Sequence, residues 1–254
     1  MSLFITHRDI LWNLVGKNLK ARYAGSVLGI LWAFINPLLL AAIIGFVFTN
    51  IFRMPVENFY LFIIAGMLPW SCLAGALQES ALSIPAHVSL LKQFSIPREV
   101  VPLSVVVTHF VLFLTALLAV LPIFILSYPK TVMFLPLLAA AVLLWFLFTL
   151  GLALLLSSWC VQNRDVHQIL GTFLTFWLWL TPVFYSVDMI PEFYRWMVLV
   201  NPVYPFLQIF RESLWHASGG IVRFLAVGIL LCGFSLAAGS YVFARKEGDF
   251  LKRI

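Results

Sequence analysis

Charge is what this sequence has least of. Only 10% of its 254 residues are Asp, Glu, Lys or Arg, whereas a soluble domain carries about 25%. With 63% hydrophobic residues and a mean hydropathy of +1.03, a water-soluble fold would lack the polar surface to cover itself. The same composition excludes disorder, which needs low hydrophobicity and high charge. Cysteine is also scarce. Cys72, Cys160 and Cys232 are odd in number and widely spaced, which excludes a disulfide framework and gives no metal-ligand spacing. No GxxxxGK[ST] phosphate loop occurs, so any ATP-driven work draws its energy from another chain. There is no HExxH, no Ser–His–Asp cluster and no carboxylate pair within an apolar stretch. Intramembrane catalysis and ion-coupled transport both need such groups at depth.

Because charges are so rare, the gaps between them draw the topology. Six charge-free windows reach the roughly 20 residues that a spanning helix needs: Tyr23–Phe52, Asn58–Gln78, Val100–Pro129, Thr131–Asn163, Val166–Val187 and Phe224–Ala244. They are continuously apolar, not alternating, which argues against a β-barrel. The expected fold is an all-α polytopic membrane protein with six transmembrane helices in a single domain. Trp196–Phe210, at 15 residues and broken by Pro202 and Pro205, is too short to cross. With six spans both termini share one side, and that side holds eleven Lys and Arg against five on the other. The positive-inside rule makes it cytoplasmic. This bias, with anionic headgroups as partners, accounts for the net charge of +6 without nucleic acid.

Several segments outside or within the spans stand out. In residues 1–22, Ile10, Leu11, Leu14, Val15 and Leu19 recur at helical spacing opposite Arg8, Asp9, Asn13, Lys17 and Lys20. That pattern predicts an amphipathic helix in the cytoplasmic interface, either an anchor or an element beside a transport path. The connection at 82–99 sets Pro85 and Pro97 around a stretch able to form a short helix. His87, Leu90, Leu91, Lys92, Phe94, Arg98 and Glu99 there mix apolar surface with polar handles, as a docking element needs. Gln162–His167 forms a smaller loop on the same side. The lone deep imidazole, His109, reads as a packing residue, and Glu79 is the nearest acid.

The first span carries Gly25, Ser26, Gly29, Trp32 and Asn36 at three- and four-residue steps, and the fifth carries Thr172, Thr175, Phe176, Trp179, Pro182 and Ser186, with Tyr185 close by. Small and hydroxyl residues serve helix contact in membranes. Aromatic rings mixed with hydroxyls also suit sugars, and Trp70, Trp145 and Trp179 lie mid-span. Both readings stand. Residues 188–222 hold two apolar pieces divided at Asn201-Pro202, which predicts re-entrant helices dipping into the outer leaflet.

Three motifs carry a family resemblance. Lys17 to Trp32 with Asn36-Pro37, Leu90-Leu91-Lys92 with Ile96-Pro97-Arg98-Glu99 and Pro102, and Asn201-Pro202 with Pro205 and Arg211 resemble the permeases of type 2 ABC exporters for cell-surface polysaccharides. These are the Wzm-like O-antigen exporters and the related teichoic acid exporters. The resemblance implies a homodimer joined by two copies of an ATPase subunit that binds ATP and Mg, with no cofactor on this chain. It implies a channel carrying an undecaprenyl-linked glycan outward across the inner membrane, with Trp32, Asn36, Trp70, Thr175, Phe176, Trp179 and Tyr185 as channel residues. It also implies ATPase coupling at 82–99, and an extracytoplasmic gate built on Asn201, Pro202, Tyr204, Pro205 and Arg211. Residues 245–254 would form a cytoplasmic tail. Export of lipid, haem or drugs, and energy-independent lipid scrambling, are the alternatives.

Overall fold

A computed structural model describes residues 8–53, 58–93, 96–163, 165–215 and 221–250. Its regular elements are helical. The first is α1, Arg8–Tyr23. Its apolar stripe is present as expected, but Leu11, Leu14 and Val15 are buried against Val100 and Leu103 of the chain itself. Protein covers the stripe, while Trp12, Asn13, Lys17 and Lys20 stay exposed.

The first apolar window is not one uninterrupted helix. Gly25 and Gly29 take φ of +74° and +51°, left-handed values that a Cβ disfavours. The chain turns there, Ser26 N–H donating to Tyr23 O and Gly29 N–H to Ser26 Oγ at 3.2 Å. After this turn α2 runs Trp32–Phe46 and widens into a π-helical turn, Val47–Ile51.

The long helices follow: α3, Phe59–Ala86; α5, Val100–Ser127; α6, Leu135–Gln162; and α10, Ile221–Lys246. Between α3 and α5 lies the short α4, Val88–Gln93. Helix α7 covers Asp165–Leu180, and α8, Glu192–Leu199, and α9, Tyr204–Leu214, follow it. Four of the six expected spans form helices long and apolar enough to cross a membrane among the described residues: α3, α5, Pro129–Gln162 and α10. The fifth window yields only the 16-residue α7. It stops before Thr181-Pro182, since the residue preceding a proline disfavours helical backbone. The short pieces expected after it are found, with their break at Asn201-Pro202.

Within the connection expected at 82–99, α3 continues through Pro85 to Ala86, and α4, Val88–Gln93, is the short helix expected between Pro85 and Pro97. Ile84 is fully buried with Leu91, Val101, Leu154 and Phe243, and this packing holds the last turn helical across the proline. The His87 ring nitrogen lies 2.9 Å from Ser83 O, taking up a carbonyl of that turn.

Helix α3 is the hub, packed by α2, α5, α6, α7 and α9. Its most apolar window is 67% buried, against 17% for α10. The core beside it is aromatic: Trp145 stacks on Phe148 and meets Phe206 and Phe210. The Trp145 indole donates to Pro69 O at 3.1 Å, the acceptor a buried indole needs. Helices α6 and α10 make the most intimate pair. Gly151 faces Ser235 and Gly239 so closely that backbone meets backbone.

Candidate functional site

Helices α2 and α7 both lean on α3 and leave their outer faces uncovered. Trp32, 38% exposed, and Asn36 sit on the open side of α2. With Ser71, Cys72 and Phe113 they line a cavity of 440 Å³. On α7, Thr175 is exposed, and Phe176 and Trp179 are 65% and 58% exposed. The Tyr185 hydroxyl donates to Trp179 O at 2.8 Å, fixing the end of that face. Trp70 does not share this surface. It is 3% exposed and edge-on to Trp177 at 5.8 Å, because position 70 points from the hub helix into the core.

Below the cavity the structure assembles a polar cluster that the sequence separates by many residues. Arg22, in the last turn of α1, donates to the Glu79 carboxylate of α3. His109 Nε2 of α5 lies 2.8 Å from the same carboxylate oxygen and 3.1 Å from Arg22 Nη2. One ring nitrogen carries either a proton for Glu79 or a lone pair for Arg22, and not both. His109 is seated on Gly75, where a Cβ would lie 2.5 Å from its Cε1. The expectation that His109 merely packs is therefore incomplete: it is buried and it joins an ion pair. A second cavity of 370 Å³ opens on the other side of the cluster, lined by Arg22, Gln78, Glu79, His87, His109 and His167. Arg22, Gly75 and His109 border both cavities.

The expected docking residues divide. Lys92 is exposed and Leu90 half-buried, but Leu91 is buried in the chain's own core. Phe94 lies outside the described residues. Arg98 donates to Glu247 O and stands 4.0 Å from its carboxylate, tying the end of this connection to the end of α10. Burial raises the Glu99 carboxyl above its ordinary value, and the Glu247 carboxylate adds to the shift.

The residues expected at the outer gate are mostly buried structural fastenings. Asn201 accepts from the Trp177 indole at 3.0 Å and from Val203 N–H at 3.0 Å, and donates to Thr181 Oγ1 at 2.8 Å. It staples the end of α7 to the break before α9. Arg211 Nη2 donates to Pro182 O at 2.7 Å and Val183 O at 3.0 Å, with its guanidinium 3.7 Å from the Phe62 ring centre. Tyr204 and Pro205 are buried beside them, and Pro202 is half-buried.

With this geometry in hand, the comparisons decide the family. The profile of the ABC-2 type transporters matches residues 10–215. The chain belongs to the ABC-2 type transporter family. It is similar to two proteins of Klebsiella pneumoniae named O-antigen export system permease protein RfbA. One is 30% identical over 95% of this chain and 93% of its own. The other is 32% identical over 90% of each. A protein of the same name from Myxococcus xanthus is 31% identical over 98% of this chain and 96% of its own.

The matched ABC-2 region contains the α1–α5 cluster, both cavities and the Asn201 and Arg211 fastenings. Sequence reasoning missed the Arg22–Glu79–His109 contact because its members lie 57 and 30 residues apart. A signal existed, for His109 is a deep imidazole in an apolar window and Glu79 is the acid that ends another. It missed the Arg98–Glu247 link altogether, since nothing in either segment names the other.

Proposed function

We propose that this ABC-2 family chain is the permease subunit of an ATP-driven exporter for O-antigen-type polysaccharide, carried on an undecaprenyl lipid. Two copies face each other in the inner membrane, and two copies of a separate ATPase subunit supply the energy with ATP and Mg. Helices α2 and α7 complete six crossings, both termini are cytoplasmic, and α8 and α9 dip into the outer leaflet. The observation that carries this reading is the likeness, along nearly the whole of both chains, to proteins named as O-antigen export permeases.

The exposed faces support the same reading. Trp32, Asn36, Thr175, Phe176, Trp179 and the adjoining Tyr185 offer aromatic planes with polar groups between them. Such a surface stacks on pyranose rings and exchanges hydrogen bonds with their hydroxyls without holding any one sugar tightly. A second copy placed against α2 and α7 would bring two such faces around one path. Exposed Lys92 and half-buried Leu90 would meet the ATPase, while Leu91 shapes the chain's own support for them.

The deciding experiment supplies the chain and its candidate ATPase to cells that make lipid-linked O-antigen but lack their own exporter. Surface glycan should appear only when both are present and the ATPase can hydrolyse ATP. Export by the permease alone, or none with both, would sink the reading. Phe176→Ala with Trp179→Ala should reduce surface glycan severalfold while the complex still assembles. Unchanged export would remove these rings from the path.

A further inference from the structure

The cluster of Arg22, Glu79 and His109 stands between two cavities that share Arg22, Gly75 and His109 in their linings. On its cytoplasmic side, the 370 Å³ cavity gathers one guanidinium and the imidazoles of His87, His109 and His167 against a single carboxylate among its lining residues, Glu79. The Arg22 guanidinium fork matches phosphate oxygens two at a time and the His167 imidazole can offer an N–H, whereas the His87 N–H is given to Ser83 O and that of His109 to Glu79. The Gln78 amide, which reaches His167 O at 3.3 Å and lies 3.2 Å from its ring Nε2, holds that imidazole on the same wall. This lining suits an anion with several oxygens. The other cavity, beyond the cluster, is lined by Trp32 and Asn36.

We propose that Arg22 is a latch at the cytoplasmic mouth, released when a phosphate-bearing headgroup takes its guanidinium from Glu79. The trade is favourable for a specific reason. An ion pair opened at the edge of an apolar region ordinarily strands a carboxylate. Here Glu79 keeps His109, 2.8 Å away, and the ring nitrogen that Arg22 also contests is then free to donate to it alone. Arg22 sits just ahead of the Gly25–Gly29 turn, so it swings without moving α3 or α5. Once it has swung, the two cavities that share its lining join, and the headgroup's cargo faces Trp32 and Asn36.

This inference rests on the export reading above for its ligand, but its test does not. The permease–ATPase complex in lipid nanodiscs is titrated with a short polyprenyl diphosphate, with the matching polyprenol and with inorganic pyrophosphate. Arg22→Gln should weaken diphosphate binding by about tenfold or more, the loss expected for a charged hydrogen-bond donor. Glu79→Gln should tighten it severalfold, because the competitor for Arg22 has gone. Polyprenol binding should be the same in all three proteins, which shows that each is folded. Weakening by Glu79→Gln, or no change with Arg22→Gln, overturns the latch. Pyrophosphate binding as tightly as the lipid diphosphate overturns the headgroup and leaves a site for the free anion. Failure of glycan to reach the surface in cells carrying the unaltered complex speaks against the export reading alone, since the titration is independent of it.

Discussion

Substituting Gly239 by alanine puts the α6–α10 pairing to a quantitative test. A Cβ at 239 would lie 2.1 Å from Gly151 O, 2.9 Å from its carbonyl carbon and 3.1 Å from its Cα. These are main-chain atoms of a facing helix, so no side chain can swing aside. Reaching ordinary contact near 3.4 Å requires the two helices to part by about 1 Å, which costs about 1–3 kcal/mol in overpacked interiors. Parting also stretches the Ser235 hydroxyl to Phe148 O hydrogen bond, now 2.8 Å, and the Cys232 thiol to Leu144 O contact, now 3.0 Å. One lost hydrogen bond adds about 1 kcal/mol. The expected total, about 2–4 kcal/mol, is a large part of a typical stability of about 5–15 kcal/mol. Thermal unfolding in detergent, followed by intrinsic tryptophan fluorescence, reads this directly. Gly233, on the same helix, has nothing within 4 Å of a built Cβ, so Gly233→Ala should raise the midpoint slightly through helix propensity. Equal midpoints for Gly239→Ala and the unaltered chain, or equal losses at 239 and 233, would refute the close-packing argument.

Other outcomes follow from the same structure. Arg211→Leu strips the donors from Pro182 O and Val183 O in a place remote from water, and should lower the midpoint by an amount comparable to Gly239→Ala. Limited proteolysis between α7 and α8 should quicken in the same variant, and an unchanged cleavage rate there would count against the fastening. Glu99 gives a pH signature. Its carboxyl is raised by burial and by Glu247, so the folded state holds the proton better than the unfolded chain does. That contribution is present at acid pH and is lost as pH rises through the raised value. Glu99→Gln should therefore be the more stable protein at neutral pH, with the difference closing on acidification; a gap independent of pH would refute the assignment.

How much of this was legible beforehand depends on the kind of signal. Hydropathy runs placed α3, α5, α6 and α10 well, because a spanning helix needs only length and apolarity. The amphipathic face of α1 was equally plain from spacing. What periodicity could not say was whether Leu11, Leu14 and Val15 faced lipid or Val100 and Leu103, since both are apolar surroundings. The short helix between Pro85 and Pro97 was legible as well, but not that α3 runs on through Pro85, whose local cost is outweighed by the burial of Ile84. Trp70 and Phe176 look alike in sequence, each an aromatic in mid-window. Only the packing of α3 at the centre and α7 at the edge sends one inward and leaves the other exposed. The Asn201 and Arg211 motifs were found, but their partners, Thr181, Pro182 and Val183, lie across the break and carry no mark of the contact.

The hub position of α3 bears on how the chain is made. Of the four long apolar helices it emerges first, and its mean hydropathy of 1.7 is below the 2.2 to 2.7 of the others. The lateral exit from the insertion machinery thus receives the least apolar of these four before most of the partners that bury it exist. Glu79 at that stage has Arg22 from α1, but His109 has yet to be synthesised. A nascent chain halted before α5 should accordingly leave α3 accessible to aqueous thiol reagents at Cys72, and completion of α5 and α6 should seal it. Assembly order, on this view, is written into a helix that waits for α5, α6, α7 and α9 to surround it.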